Sequence, residues 1–284
     1  MNVDDNTGKA KRSREISGLE KMAVMTTEIV PYQKNMYPVD IVELHPSPLG
    51  TKHLRFIGSG RDGKDYAIKR ISDDKTGTIP ATEFFCYELA RLLNITTPEW
   101  SVVKLEGDEL AFGSVWHGES ELDDVLQRIK FFDGNVGVKN LGEQLSKIFA
   151  FDLFVNNTDR HLGNYLFRTS GYSNNKTIIA FDFGLSWWGY GLGGLDVLDL
   201  VCNTQVNFAA ITHSKIMIKT QESLKMLADI AKVNSAEIKT IVDGIPEQWL
   251  KLSHRHELIQ WWGSEEFLIR LEKLRQEIKR HELV

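Results

Sequence analysis

An α+β chain is predicted, a small sheet carrying one helix followed by a larger, mainly helical portion, and two observations in the 284-residue sequence predict it. Between residues 37 and 117, short segments rich in β-branched and aromatic residues are separated by Gly, Asp and Asn turns, the pattern of an antiparallel sheet. From Leu141 onward, apolar residues mostly recur at the 3.6-residue spacing of amphipathic helices. With 42% hydrophobic and 26% charged residues, the composition is that of an ordinary globular protein and not of a disordered chain.

In chain order, residues 1–36 are polar, mixed in charge and without sustained periodicity, and are expected to form a tail or arm. The strands follow as "YPVDIVEL", "HLRFIGSG", "KDYAIKRI", "WSVVKLEG" and "ELAFGSVW". Between the third and fourth lies "PATEFFCYELARLLNI", where Phe84, Phe85, Leu89, Leu92 and Leu93 recur at helical spacing and Pro80 or Thr82 opens the helix. The helical portion begins with "LGEQLSKIFAFDLFVNN", whose Leu141, Leu145, Ile148, Phe149 and Leu153 share one face. A hairpin follows, "NYLFRT" and "KTIIAFDF" joined by "SGYSNN". The helices "QESLKMLADIAKV", "AEIKTIVDGI" and "SEEFLIRLEKLRQEIKRHEL" complete the chain.

Composition also excludes classes of function. A net charge of −5 argues against a general nucleic-acid binder. The longest apolar runs are too short for a bilayer and the amino terminus has no apolar signal core, so a cytoplasmic protein is expected. Cys86 and Cys202 are too few for a disulfide framework and lack the neighbours of a zinc site, and both are read as buried small apolar groups.

The chemistry concentrates in "NNTDRHLGNYLF", residues 156–167, and in "IIAFDFGLS" downstream. Asp159 and Asn164 are five residues apart on a loop, and the hairpin folds Asp182 back beside Asn164. Taken singly, each piece reads as a solvated turn. Together they place three oxygen-bearing side chains in the order used for phosphoryl transfer: an Asp that meets the acceptor hydroxyl, then an Asn and an Asp that hold metal. Mg²⁺ suits that donor set, because it takes few protein oxygens and completes its shell with water and phosphates.

This pair of stretches resembles the catalytic and metal-binding loops of the HipA-like kinases, and its "DRHLGN" core is similar to the Asp-Arg-His-x-x-Asn of phosphoinositide kinases. The resemblance spans residues 38–284 and is specific in three patches. It implies a bilobal protein-kinase-like fold with a small antiparallel-sheet N-lobe at 37–117 and a larger helical C-lobe at 118–284. It further implies ATP and Mg²⁺ as cofactors, Asp159 as the catalytic residue, and Asn164 and Asp182 as metal ligands. His161 is expected to brace the loop by hydrogen bonding, and Arg160 to pair with a nearby carboxylate.

A kinase needs a cation on the α- and β-phosphates, and Lys69 in the strand "KDYAIKRI" is the candidate, with Arg70 on the opposite face of the pleat. A helix carboxylate should hold it. Glu83 and Glu88 are both available, but five residues of helix rotate them roughly 140° apart, so only one serves; the family resemblance favours Glu83. "GSGRDG" at residues 58–63 is Gly-rich, yet it ends only six residues before Lys69 and is read as the turn into the lysine strand. Phosphate contact is assigned instead to "SPLGTKH", residues 47–53, through Gly50, Thr51 and Lys52, with Ser47 and Thr51 as candidate self-phosphorylation sites. Adenine is expected against Val115, Trp116 and His117. "LSWWGYGLGGLDVLDL" is either a mobile substrate loop or, through Trp187 and Trp188, a core anchor.

The function expected is transfer of the ATP γ-phosphate to a Ser or Thr hydroxyl of a protein. The alternatives are a lipid or small-molecule kinase, disfavoured because residues 185–199 hold no Lys or Arg, and a non-catalytic pseudokinase. The resemblance also implies an antitoxin-like regulatory partner. Neither direct nucleic-acid contact nor membrane contact is expected.

Overall fold

The computed structural model describes residues 37–51, 54–73, 75–118, 122, 124–169, 175–187 and 196–281. The expected arm at 1–36, Lys52 and Trp188 lie outside the described residues. Tyr37–Val284 form one compact unit.

The unit opens with five strands: β1 Val39–Thr51, β2 Leu54–Gly60, β3 Asp65–Lys69, β4 Trp100–Lys104 and β5 Leu110–Val115. Their order is β1-β2-β3-β5-β4, and every neighbouring pair in that series is antiparallel. The sheet then closes on itself, because β1 pairs in parallel with β4 through Val39↔Val103 and Asp40↔Lys104. A purely antiparallel sheet was expected, and the closing pair is the correction. Its cause is burial: Tyr66, Ile68, Val103, Leu105 and Ala111, with Val39, Ile41 and Phe56 packed on them, fill the space that closure creates. Closure also removes two edges that would otherwise template association. Gly113 permits this tight interior, since a Cβ there would lie 2.7 Å from Val103 Cγ1.

The turn between β2 and β3 is "GRDGK", closed by Gly60 N donating to Lys64 O at 2.7 Å and Gly63 N to Gly60 O at 2.9 Å. Residues 47–51 extend β1, whose register shifts between Pro46 and Thr51 before Thr51 meets Leu54. The described part of the segment assigned to phosphate contact, residues 47–51, is therefore the end of β1 in the β1–β2 hairpin. Between β3 and β4 runs α1, Ile79–Leu92, with Pro80 in its first turn, where a missing N–H costs nothing. Every residue from Ile79 to Ala90 is buried, so this helix is enclosed on all sides and not simply laid on the sheet by one stripe.

The second portion holds α2 Val125–Phe132, α3 Leu141–Phe154, a hairpin of β6 Tyr165–Thr169 and β7 Lys176–Ala180, then α4 Asn203–Thr212, α5 Thr220–Ile230, α6 Ser235–Asp243, α7 Leu252–Trp261 and α8 Glu265–His281. Of these, α2, α4 and α7 are absent from the sequence reading. Their buried faces explain why. In α4 the face is Thr204, Asn207, Phe208 and Ile211, half of it polar; in α7 it is Arg255, Leu258 and Trp261. Trp187 is a core anchor, edge-on to Phe154 and Trp261 at 5.0 and 5.4 Å. Cys86 is buried as expected, whereas Cys202 is half-buried at the start of α4. Among the described residues no helix is long and apolar enough to cross a membrane.

Candidate active site

Helix α3 ends at Phe154, and Asn156 takes the left-handed conformation (φ +58°) that turns the chain out of the helix. Side chains of the turn then hold the loop that follows. Asn157 Oδ1 accepts from Asp159 N at 3.1 Å while Asn157 Nδ2 donates to Asp152 Oδ1 at 2.8 Å. Asn164 Nδ2 donates to Asp159 O at 2.9 Å, closing the loop. His161 is exposed, and its Nδ1 accepts from Gly163 N at 3.1 Å.

Arg160 is the anchor beneath this loop. It is 1% exposed, and its Nε and Nη2 donate to the two oxygens of Asp152 at 2.9 and 3.0 Å. Nη1 donates both to Asn164 O, at 3.1 Å, and to Phe181 O, so one guanidinium ties the Asn164 segment to the Asp182 segment. The Phe183 ring lies 4.6 Å below its centre. Burial alone would lower this guanidinium's pKa, but the Asp152 carboxylate raises it, so the charge is retained.

Opposite the loop, Ala67 and Lys69 share the face of β3 that turns away from the barrel interior, and both line a cleft. Lys69 Nζ donates to Asp182 Oδ1 at 3.0 Å and lies 3.9 Å from Glu83 Oε1. Glu88 instead pairs with Arg91 at 3.0 Å. Glu83 Oε2 accepts from Phe183 N at 3.1 Å, while Oε1 is buried without a hydrogen bond. Burial, reinforced by the neighbouring Asp182 charge, pushes Glu83 up to about 8. For Asp182 burial acts in the same sense, but the Lys69 ammonium wins and holds the carboxyl below its usual range. Burial would lower Lys69, and Asp182 and Glu83 together raise it. Asp182 itself has φ +58°, a conformation L residues seldom adopt, in the turn that aims its carboxylate at Lys69.

The cleft is further lined by Tyr87, Pro98, Leu166, Phe181 and the crossover residues Val115 to Gly118. The amides of Val115 and Trp116 are already engaged, donating to Glu99 O and Asp65 O, each at 2.7 Å. Of the three crossover residues assigned to adenine, His117 is the one whose amide makes no such bond among the described residues. Burial and the charge of Arg168 keep the His117 imidazole below its ordinary range. Gly50 and Thr51 end β1, on the hairpin that the sequence assigns to phosphate.

Four residues of this arrangement escape the sequence reading. Asp152 carries a signal, a lone carboxylate within the apolar run "IFAFDLFV", and Asn157 follows it closely. Asn203 and Thr204 carry none. Thr204 Oγ1 donates to Asn157 O at 2.6 Å and accepts from Arg160 N at 3.0 Å, and Asn203 Nδ2 donates to Asp159 Oδ1 at 2.6 Å.

A search of curated proteins gives no match. Among solved structures, the proinflammatory kinase CtkA of Helicobacter pylori is similar, with a TM-score of 0.54 at 12% identity over 87% of this chain and 100% of that one. A chain from the Shewanella oneidensis MR-1 toxin–antitoxin complex of HipA, HipB and operator DNA aligns at a TM-score of 0.45 and 12% identity, covering 77% of this chain and 62% of that one. The likeness to CtkA is one of fold. The HipA-like kinase family model matches residues 48–278, most of the chain and all of the cleft described above. The chain belongs to the HipA-like kinase family.

Proposed function

We propose that this kinase transfers the γ-phosphoryl group of ATP, with Mg²⁺, to a Ser or Thr hydroxyl of a protein. The observation that carries the reading is the convergence of Lys69, Glu83 and Asp182 on one cleft, with Arg160 joining the backbone beside Asp182 to that of Asn164. In this reading residues 37–117 form the nucleotide lobe and 118–284 the catalytic lobe. Lys69 holds phosphate oxygens and Glu83 holds Lys69. His117 offers its amide to the base. Gly50, Thr51 and Lys52 contact the phosphates.

A metal fits these residues. One carboxylate, Asp182, and one amide oxygen, from Asn164, form the sparse oxygen donor set that Mg²⁺ completes with water and phosphate. Held there, the ion would offset charge on the transferring phosphoryl group. Asp159 accepts the proton of the acceptor hydroxyl. A regulatory protein partner of antitoxin type fits the family and belongs to the same proposal.

The test separates binding from turnover. Asp182→Ala should abolish Mg²⁺-dependent ATP binding, whereas Asp159→Asn should bind ATP normally and transfer no label from γ-labelled ATP in a cell lysate. Loss of nucleotide affinity in Asp159→Asn equal to that in Asp182→Ala would overturn the roles. Label recovered in the lipid extract instead of in phosphoserine or phosphothreonine would move the acceptor to a lipid.

A further inference from the structure

We infer that Asn203 is a positioning residue for Asp159, fixing which carboxylate oxygen meets the acceptor hydroxyl; this rests on the reading of Asp159 as the group that takes that proton. Asp159's backbone is already held on both sides, its N–H by Asn157 Oδ1 and its carbonyl by Asn164 Nδ2. Its carboxylate is a separate matter. Among the described residues its side-chain partner is Asn203, 44 positions away, at 2.6 Å from Oδ1.

The use made of Asn203 is specific. Asparagine at the start of a helix ordinarily caps it, but here Cys202 occupies the cap position, no side chain caps α4, and the Asn203 amide is directed at Asp159. An ionised carboxylate only accepts, so the amide nitrogen must face it. The neighbouring Thr204 fixes the distance, since it bonds both Asn157 O and Arg160 N and so pins the first turn of α4 to the loop. Asn203 is exposed, and an exposed pair of this kind contributes little to stability. Its consequence should therefore appear in turnover.

With Oδ1 engaged by Asn203, Oδ2 is left to the acceptor. During transfer the acceptor O–H bond breaks and its proton passes to Oδ2. The acceptor oxygen forms its bond to the γ-phosphorus, the bond from that phosphorus to the β–γ bridging oxygen breaks, and ADP leaves. A freely rotating carboxylate would present either oxygen, at varying angles, and would meet the hydroxyl less often in the productive geometry.

The experiment measures ADP formation from Mg·ATP, which counts any acceptor including water, in the full chain. Asn203→Leu should lower kcat roughly tenfold, a fraction of what a complete general base contributes, with the KM for ATP within twofold of the unaltered protein and the melting temperature unchanged. Asn203→Asp, the same shape with no donor and a like charge, should lose more. Asn203→Gln, which keeps the donor, should recover part of the rate. Asp159→Asn with Asn203→Leu should be no slower than Asp159→Asn alone, because the amide then has no carboxylate to orient. The inference fails if Asn203→Leu keeps its kcat while Asp159→Asn is inactive, if the two losses multiply, or if Asn203→Leu acts only on KM or on stability. If Asp159→Asn keeps full turnover, the reading of Asp159 fails first and this inference falls with it.

Discussion

Removing either half of the Arg160–Asp152 pair should cost more stability than almost any other single polar substitution in the chain. The two residues are 1% and 0% exposed, and the guanidinium makes two bonds to the carboxylate and two more to main-chain carbonyls. Asp152→Asn strands a buried cation, and Arg160→Met strands a buried anion together with the carbonyls of Asn164 and Phe181. Breaking one side of such a pair costs about 3–5 kcal/mol, because the remaining charge has lost its solvation and gained no partner. For a folded unit of this size each kcal/mol lowers the melting temperature by roughly 2–4 °C, so a fall on the order of 6–20 °C is expected. The assay is thermal and urea unfolding at neutral pH for both single variants and for Asp152→Leu with Arg160→Met. The double variant should lose much less than the sum of the singles, since no charge is left buried alone. Single variants within about 1 kcal/mol of the unaltered protein, or a double variant equal to the sum, would refute the argument, because typical surface substitutions already span roughly half that range.

Glu83 gives a pH signature: its folded-state value near 8 lies above its ordinary 4.5, so its contribution is fully present below about 4.5 and is lost as pH rises through 8. Urea unfolding at pH 5, 7 and 9 should show the stability of the unaltered protein falling relative to Glu83→Gln, and parallel profiles would contradict the assignment. Gly142→Ala, in the first turn of α3, should destabilise by about 1–3 kcal/mol although alanine is the better helix former, because the added Cβ would lie 1.9 Å from Met217 O; a raised melting temperature would refute it.

How much of the fold the sequence carries depends on whether each element buries an apolar pattern. The five strands, α1, α3, α5, α6 and α8 do. For α5 the buried Ser223, Met226, Leu227 and Ile230 keep helical spacing, and in α8 Phe267, Leu271, Leu274 and Ile278 do the same. Helix α2 buries Phe131 while Val125, Leu126 and Ile129 are exposed, so its hydropathy does not report its orientation. Helix α7 buries Arg255, whose guanidinium donates to the carbonyls of Val242, Ile245, Pro246 and Leu250 around the end of α6. A residue expected at the surface is there an internal cap. Barrel closure is invisible for a different reason, because the two strands that meet are separated in the chain by two strands and α1, and only their tips pair.

The site divides along the same line. Residues whose placement is set by local spacing could be named from the sequence: Asp159 and Asn164 on one loop, Asp182 brought back by a short hairpin, Lys69 by strand alternation. Helix rotation shows only that Glu83 and Glu88 cannot both serve, the family resemblance favours Glu83, and the structure brings Glu83 beside Lys69. What could not be read is everything that depends on contact between distant segments. Asn203 and Thr204 begin a helix with no charged residue and a half-polar buried face, and nothing in "CNTQVNF" distinguishes them from ordinary helix-start residues. Yet two adjacent side chains there bond the side chain of Asp159, the carbonyl of Asn157 and the amide of Arg160. Motif spacing fixes which groups a loop carries, but the direction in which an exposed carboxylate is held is set by whatever packs against it. In this chain that element is the first turn of α4, which is where a substitution should change turnover without changing the fold.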